Sequence, residues 1–435
     1  MSSFIEKDLF PLSTELRPDG SITIAGSSLK KLAKDFGSPL YLYDSETIRA
    51  NIQKLKNAFS TFYPGNFAIA YASKAYLSRK FAEKIAKQDI ELDVVSMAEL
   101  LIALKAGFSP KQIHFHGNNK TTEEIQKAID CNIHALVIDN MDELLYAEKI
   151  AASKNKCVKI WLRITPDIHV KTHPHIETSA AESKFGFHVT TGEAKAGIQY
   201  ALKSHFFELT GLHCHLGSQI FDPLPYRITI QMLYDLASEC GYVPSELSPG
   251  GGWGVPYSTE DPVADPNDWI EHISSAVIEQ CRQKQMPLPK IVIEPGRWLV
   301  AKAGISIYQI GSQKSTPNGL RIIAVNGGMS DNPRNALYQA KYTAVINGKI
   351  ASNEVFPSRI VGKFCESGDT LIDQVYLPEA ERDDLLIIPV SGAYQLSMAS
   401  NYNLAPRPAV LWLESGGIYE LLQYRENPEE SSWWA

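Results

Sequence analysis

The chain has 435 residues, of which 44% are hydrophobic, 21% charged and 10% aromatic, a balance that excludes global disorder. At roughly 150 residues per domain it allows two large domains or three small ones. Its 42 basic and 49 acidic residues leave a formal net charge of −7, so no large basic field exists to neutralise a phosphate backbone or an anionic leaflet, and neither nucleic acid nor membrane is an expected partner. Glu6, Lys7 and Asp8 stand where a secretory signal would need an apolar run, and no stretch approaches the ~18 apolar residues of a membrane span, so the expected location is cytoplasmic. Cys131, Cys157, Cys214, Cys240, Cys281 and Cys365 form no C-x-x-C pair and are expected to be reduced.

In chain order, the first 40 residues offer one strand candidate, Ser21 to Ala25, behind an Asp19-Gly20 turn, and are too few to fold alone. Eight short apolar runs follow, at 67–71 (FAIAY), 92–95 (LDVV), 113–116 (IHFH), 135–138 (ALVI), 158–164 (VKIWLRI), 209–215 (LTGLHCH), 246–248 (ELS) and 291–294 (IVIE). Helical patterns separate them; Leu77, Phe81 and Ile85, for instance, recur at i, i+4 and i+8. Repeated βα units of this number predict an α/β fold, a (β/α)8 TIM-type barrel over residues 41–303, with a doubly wound open sheet as the alternative. Residues 165–183 lack periodicity and read as a lid or binding loop. Beyond Gly304, short β-like runs alternate with Gly, Pro and Asn turns, which predicts an antiparallel β domain over 304–435, completed by residues 1–40.

Active sites of such barrels gather at the C-terminal ends of the strands. The first run leads into Ser73-Lys74, the second carries Asp93, the sixth ends in His213 and His215, the seventh runs into Gly250-Gly251-Gly252 and the eighth ends in Glu294-Pro295-Gly296-Arg297. A lysine buried beside an apolar run has a lowered pKa suited to a Schiff base, a glycine triplet lets backbone N–H groups approach a phosphate, and an acid can pair with a pyridinium nitrogen. Together they specify pyridoxal phosphate chemistry. Histidines also pair or cluster at 114/116, 169/173/175 and 213/215, but no thiolate or carboxylate stands at ligand spacing beside them, so no metal is expected.

YASKA (71–75), LDVVSMAEL (92–100), HFHGNNKT (114–121), SKFGF (183–187), GLHCHLGSQ (211–219), PGGGWGVPY (249–257), EPGR (294–297), GGMSDNPRNALY (327–338), CESGD (365–369) and GAYQLSMASNYN (392–403) resemble, in order, the diaminopimelate decarboxylase family, a group of fold-type III pyridoxal phosphate enzymes. The resemblance implies that Lys74 carries the cofactor, that His215 stacks on its ring, and that Ser218, Gly250, Gly251 and Gly252 hold its phosphate with Tyr394 nearby. Glu294 would pair with the ring nitrogen, and Asp93, Gly296 and Arg297 would complete the cofactor site. Arg297, Arg334, Tyr338, Ser367 and Tyr394 would meet substrate, and Glu366 its ammonium group. Cys365 would supply the proton that replaces the carboxylate, reaching in with Glu366 from the partner in a homodimer whose sites are shared. The implied reaction converts meso-2,6-diaminopimelate to L-lysine and carbon dioxide, the last step of lysine biosynthesis by that route. A decarboxylase of ornithine, lysine or arginine is the enzyme alternative, and a non-catalytic, protein-binding homologue the alternative from another class. Met97-Ala98, Asn326 and Asn335 depart from the family's usual residues.

Overall fold

The computed structural model describes residues 8–166, 183–350, 352 and 354–430; most of the expected lid, with His169, His173 and His175, lies outside them. Contacts divide the chain into two units, one of Met1–Asn51, Val255–Val263 and Arg297–Ala435, the other of Ile52–Gly254 and Ala264–Gly296.

Strands β1 (Thr14–Leu16), β2 (Ile22–Ile24) and β3 (Ser27–Ser28) form a small antiparallel sheet, followed by helix α1 (Leu29–Phe36), strand β4 (Leu40–Asp44) and helix α2 (Ser45–Phe62). The second unit is then built from β5 (Phe67–Ala72), β6 (Glu91–Val94), β7 (Ile113–Phe115), β8 (Ala135–Ile138), β9 (Val158–Thr165), β10 (Phe187–His188), β11 (Phe207–His213), β12 (Glu246–Gly250) and β13 (Lys290–Ile293). Every pairing is parallel; β8 joins both β7 and β9, and β13 joins β5. Eight strands therefore close on themselves, with two-residue β10 as an appendage of β9, and the open-sheet alternative is excluded. Small side chains make this closure possible: Ala70, Ala135, Val137 and Val292 pack with Trp161 in one buried cluster, where a ring of larger residues would overfill the interior.

Between the strands run α3 (Arg79–Ala86), α4 (Met97–Ala106), α5 (Thr122–Cys131), α6 (Met141–Ser153), α7 (Glu193–Lys203), α8 (Leu224–Glu239) and α9 (Pro266–Lys284). Side-chain caps fix where five of them begin, with Ser78 accepting from Phe81 N ahead of α3 and Asp265 from Asn267 N ahead of α9. Ser96 accepts from Glu99 N, Thr121 and Glu124 form a reciprocal capping box, and Asn140 accepts from Glu143 N. Met97, one of the departures from the family pattern, donates its backbone N–H to the same Glu124.

In the first unit, α10 (Arg297–Val300) leads into β14 (Gly304–Ser315), β15 (Arg321–Val325), α11 (Arg334–Tyr338), β16 (Val345–Ile346), β17 (Phe356–Val361), β18 (Thr370–Leu377), β19 (Leu385–Ile388), β20 (Ala409–Glu414) and β21 (Ile418–Gln423). The sheet runs β18-β17-β15-β14-β4-β20-β21, and β19 also pairs with β14. Most pairs are antiparallel, but β15–β17 and β4–β20 are parallel, so the sheet is mixed. Turn residues mark where strands end and carry no record of their direction; the long connection from β15 to β17 permits a crossover that a hairpin would not. The N-terminal sheet is tied into this unit by Ile22 N to Asn347 Oδ1 at 2.8 Å and by Gly417 N to Ala25 O at 2.7 Å. No helix among the described residues is long and apolar enough to cross a membrane, and all six cysteines are free thiols.

Candidate active site

Strand β5 delivers its chain into a single 3-10 turn, Ser73–Ala75, in which Ser73 and Ala75 are buried and Lys74 is exposed. The burial expected from its apolar flank is taken up by its neighbours instead. Among the described lysines Lys120 is the buried one, and its ammonium is spent: Nζ donates to Gly117 O at 2.8 Å, Val137 O at 2.7 Å and Glu143 Oε1 at 2.6 Å. With three donors on three acceptors it has no capacity left for covalent work. Lys74 lies close enough for its charge to act on Asp93 and His215, adding to the lowering of His215 and only partly opposing the rise of Asp93.

A polar layer surrounds Glu294, the last residue before the Pro295-Gly296-Arg297 turn. Its Oε2 meets His213 Nε2 at 2.9 Å and its Oε1 accepts from Ser248 Oγ at 2.6 Å. His116 Nε2 stands 3.8 Å from Glu294 Oε1 and 3.6 Å from Asp93 Oδ1. Two carboxylates in one buried layer cannot both ionise cheaply, and their surroundings separate them. Burial and the charge of Glu294 push Asp93 well above the usual carboxylate range. Burial pushes Glu294 the same way, but His213, His116 and the Ser248 hydroxyl more than offset it and hold Glu294 well below. The two environments thus favour the proton on Asp93 and the negative charge on Glu294. Deeper in the barrel, His114 Nε2 meets Glu91 Oε2 at 2.8 Å, and against the effect of burial the His114 ring and Lys290 hold the Glu91 carboxyl down to about 2.

Sequence spacing missed that Asp93 of β6 stands beside the histidines of the neighbouring strand β7 and that Glu294, just after β13, reaches His213. Asp93, His114 and His116 bring three ligand-type atoms within 4.8 Å of one another, as do His116, His213 and Glu294. The His213–Glu294 separation of 2.9 Å is a hydrogen bond, shorter than the roughly 3.3 Å between two ligands held ~2.0–2.1 Å from a tetrahedral zinc. Asp93 Oδ1, His114 Nδ1 and His116 Nε2 are buried without hydrogen-bond partners, a set that one buried water making three bonds would satisfy.

Beside this layer the backbone makes a cradle. Gly250 and Gly252 have φ of 76° and 98°, and a Cβ on Gly251 would collide with Glu294 O, one on Gly252 with Gly217 O. Glycine is required here for close backbone approach as well as for conformation. His215 is half-buried and its Nδ1 accepts from Gly251 N at 3.4 Å, which leaves the ring proton on Nε2. Burial, then Lys74 and Arg163, hold its pKa well below the ordinary value, so it is a neutral ring suited to stacking. Ser218, half-buried, follows in the same loop.

The first unit gathers the remaining motifs. Arg297 Nη1 donates to Tyr257 Oη at 2.7 Å and its guanidinium lies 4.7 Å over the Tyr394 ring; Arg334 Nη1 donates to Tyr342 Oη at 2.7 Å and lies 4.8 Å over Tyr257. Arg334 is 5% exposed, and no carboxylate among the described residues forms an ion pair with it. Tyr257, the last residue of PGGGWGVPY, was given no role in sequence and Tyr342 lies outside every motif; each gains meaning when the fold sets it against an arginine. Cys365, Glu366 and Ser367 are exposed, and Tyr338 is half-buried. Asp369 clamps two of the loops, accepting from Met329 N at 2.6 Å and Phe364 N at 2.8 Å, while Asn403 Oδ1 accepts from Cys365 N at 3.2 Å. GGMSDNPRNALY, CESGD and GAYQLSMASNYN, far apart in sequence, are joined by these bonds. The departures fit locally: Asn335 Nδ2 donates to Asp373 Oδ2 at 3.0 Å and Asn326 Nδ2 to Ser38 O at 2.9 Å.

The loop bearing Arg334 is anchored by Asp331, whose Oδ2 accepts from Tyr41 at 3.0 Å and Tyr308 at 2.5 Å and whose Oδ1 accepts from Gly328 N at 3.0 Å. Burial outweighs those bonds and raises its pKa from 3.8 to about 6. A raised carboxyl pKa means that the folded chain binds the proton more tightly than the unfolded one, so this contribution is full below pH 3.8 and is lost as pH rises through about 6. At 1.36 kcal/mol per unit the loss amounts to about 3 kcal/mol. Denaturant unfolding of wild type and Asp331→Asn at pH 4.5 and 7 should show a smaller decline in the variant; equal declines would place the titration elsewhere.

A closed (β/α)8 barrel with a lysine after its first strand, a glycine cradle after its seventh and a buried glutamate after its eighth defines a cofactor-binding decarboxylase barrel, and residues 46–301 match the family model for the pyridoxal binding domain of pyridoxal-dependent decarboxylases. Over 409 residues, 93% of this chain and 94% of the relative, the sequence is 42% identical to diaminopimelate decarboxylase of Bacillus methanolicus, and it is 40% identical to that of Bacillus subtilis, with 94% of each chain covered. The solved structure of diaminopimelate decarboxylase from M. jannaschii in complex with L-lysine superposes with a TM-score of 0.89 at 32% identity, covering 96% of both chains. The chain belongs to the diaminopimelate decarboxylase family.

Proposed function

We propose that the protein, with pyridoxal phosphate on Lys74, removes carbon dioxide from meso-2,6-diaminopimelate to give L-lysine, the final step of lysine biosynthesis by that route. The residues present fit the cofactor: an exposed lysine at the strand end, a neutral imidazole at His215, a cradle at Gly250 to Gly252 whose close-packed backbone admits no Cβ, and an anionic acceptor at Glu294. Bound there, the group supplies the electron sink for the charge left when carbon dioxide departs. Glu294 would pair with the ring nitrogen, His215 would face the ring, and Ser218 with the glycines would hold the phosphate, with Asp93, Gly296, Arg297 and Tyr394 as further cofactor-binding residues. Arg297, Arg334, Tyr338 and Ser367 bind substrate. Cys365 delivers the proton to carbon and Glu366 receives an ammonium group. Both belong to the partner in a homodimer with shared sites.

The observation that carries the choice of substrate is Arg334, a guanidinium buried at 5% exposure without a carboxylate among the described residues. A buried charge left unmatched is costly, which favours a ligand that brings a carboxylate of its own. Diaminopimelate has one at each end; ornithine, lysine and arginine carry none at the distal end. The presence of Lys74, His215, Glu294 and Cys365 together argues against a non-catalytic homologue. Purified protein offered the four amino acids and scored for carbon dioxide and amine should act on diaminopimelate far better than on the others. Since a hydrogen bond to a charged group is worth roughly 1.5–3 kcal/mol, Arg334→Ala should reduce the preference for diaminopimelate over lysine by about 10- to 150-fold. An unchanged ratio of kcat/KM values would move substrate selection to other residues.

A further inference from the structure

Two side chains that the resemblance leaves without a role hold Glu294. His213 is 1% exposed and Ser248 fully buried, and each gives one hydrogen bond to a different oxygen of the carboxylate. Ser248 Oγ also accepts from Gly250 N at 3.1 Å, so its own hydrogen is available for Glu294. The bonds run from the first cradle glycine through Ser248 to Glu294, and Glu294 N returns to Gly250 O at 3.0 Å. An ionised carboxylate cannot donate, so Nε2 of His213 carries the proton in its bond to Glu294, while Nδ1 is buried without a partner. His116, edge-on to His213 with centroids 4.9 Å apart, stands too far from Glu294 to hydrogen-bond.

We propose that His213 and Ser248 are positioning residues for the cofactor: each occupies one lone pair on a different oxygen of Glu294, keeps that carboxylate anionic, and leaves the other lone pairs to receive the ring nitrogen. Ser248 in addition ties this anchor to the phosphate cradle, so the two ends of the cofactor are held by one bonded unit. Stripped of its donors, a carboxylate this deeply buried takes up a proton and ceases to be an acceptor for a protonated nitrogen.

The inference rests on the pyridoxal phosphate reading, and the experiment separates the two. Apoprotein is titrated with pyridoxal phosphate, and affinity, the absorption bands of the bound cofactor and kcat are recorded for wild type, His213→Leu, His213→Gln, Ser248→Ala, Glu294→Gln and the doubles with Glu294→Gln. Loss of a bond to a charged group should weaken cofactor affinity roughly 10- to 100-fold in His213→Leu, shift its absorption toward that of Glu294→Gln and lower kcat with KM little changed. His213→Gln, which keeps a donor, should recover most of this. In the Glu294→Gln background, His213→Leu and Ser248→Ala should add almost nothing, because residues acting through one group are not additive. Losses that multiply, or a His213→Leu protein with wild-type affinity and spectrum, would overturn the proposal. If His213→Leu fails to fold, the Ser248→Ala cycle decides alone. Wild-type apoprotein that takes up no cofactor would sink the functional reading itself.

Discussion

Lys74→Ala should be unable to retain pyridoxal phosphate covalently and should lose decarboxylation by on the order of 10³-fold or more, since one change removes both the anchor and the amine that exchanges with substrate. The alternatives are few. Lys120 lies in the same barrel but has all three ammonium hydrogens committed to Gly117 O, Val137 O and Glu143, and Lys184 is exposed with its ammonium 4.9 Å from the Phe185 ring centre. Borohydride reduction of the loaded wild type, followed by peptide mapping, should put the pyridoxyl group on the peptide containing YASKA. A label on Lys120 or Lys184 would show that position at the end of a strand had been overvalued against chemistry elsewhere. Lys74→Arg would be the sterner control, since it keeps the charge beside Asp93 and His215 and removes only the nucleophile.

The barrel was legible because each of its strands leaves a run of apolar residues that ends at a polar or glycine residue, and repetition of βα units admits few other folds. Lys74, Glu294 and the glycine triplet were legible for the same reason, since each stands at the end of a run or within three residues of it. Directions in the mixed sheet were not, because a strand such as Phe356–Val361 reads the same whether its neighbour is parallel or antiparallel. Nor was the carboxylate-histidine layer. Asp93, His116, His213 and Glu294 come from four parts of the chain, and their separations of 2.9–3.8 Å exist only once the barrel closes. His213 and His215 illustrate the limit: two residues apart on one strand end, they share a sequence signal, yet one bonds the buried glutamate and the other accepts from the cradle backbone. Tyr257 and Tyr342 needed the arginines beside them before either meant anything.

Mixing inactive Lys74→Ala with inactive Cys365→Ala should restore activity if the proposed homodimer shares its sites. Cys365 is exposed on a loop that Asp369 and Asn403 hold in place, so its thiol is presented outward while its backbone is fixed, as a group that works in a neighbour's site must be. A two-fold dimer uses the same patch on both partners, so a mixed dimer has one site carrying both defects and one carrying neither. With random assortment about half the dimers are mixed and each has one good site of two, so about a quarter of wild-type activity should return. Each variant by itself should remain far below that, since loss of a general acid costs roughly 10²- to 10⁴-fold. The measurement needs subunit exchange to be demonstrated separately, by mass-tagged protomers or by mild denaturation and refolding of the mixture. Exchange without recovery would place Lys74 and Cys365 in the same chain's site and end the shared-site model, while leaving the assignments of the two residues to be judged by their single substitutions.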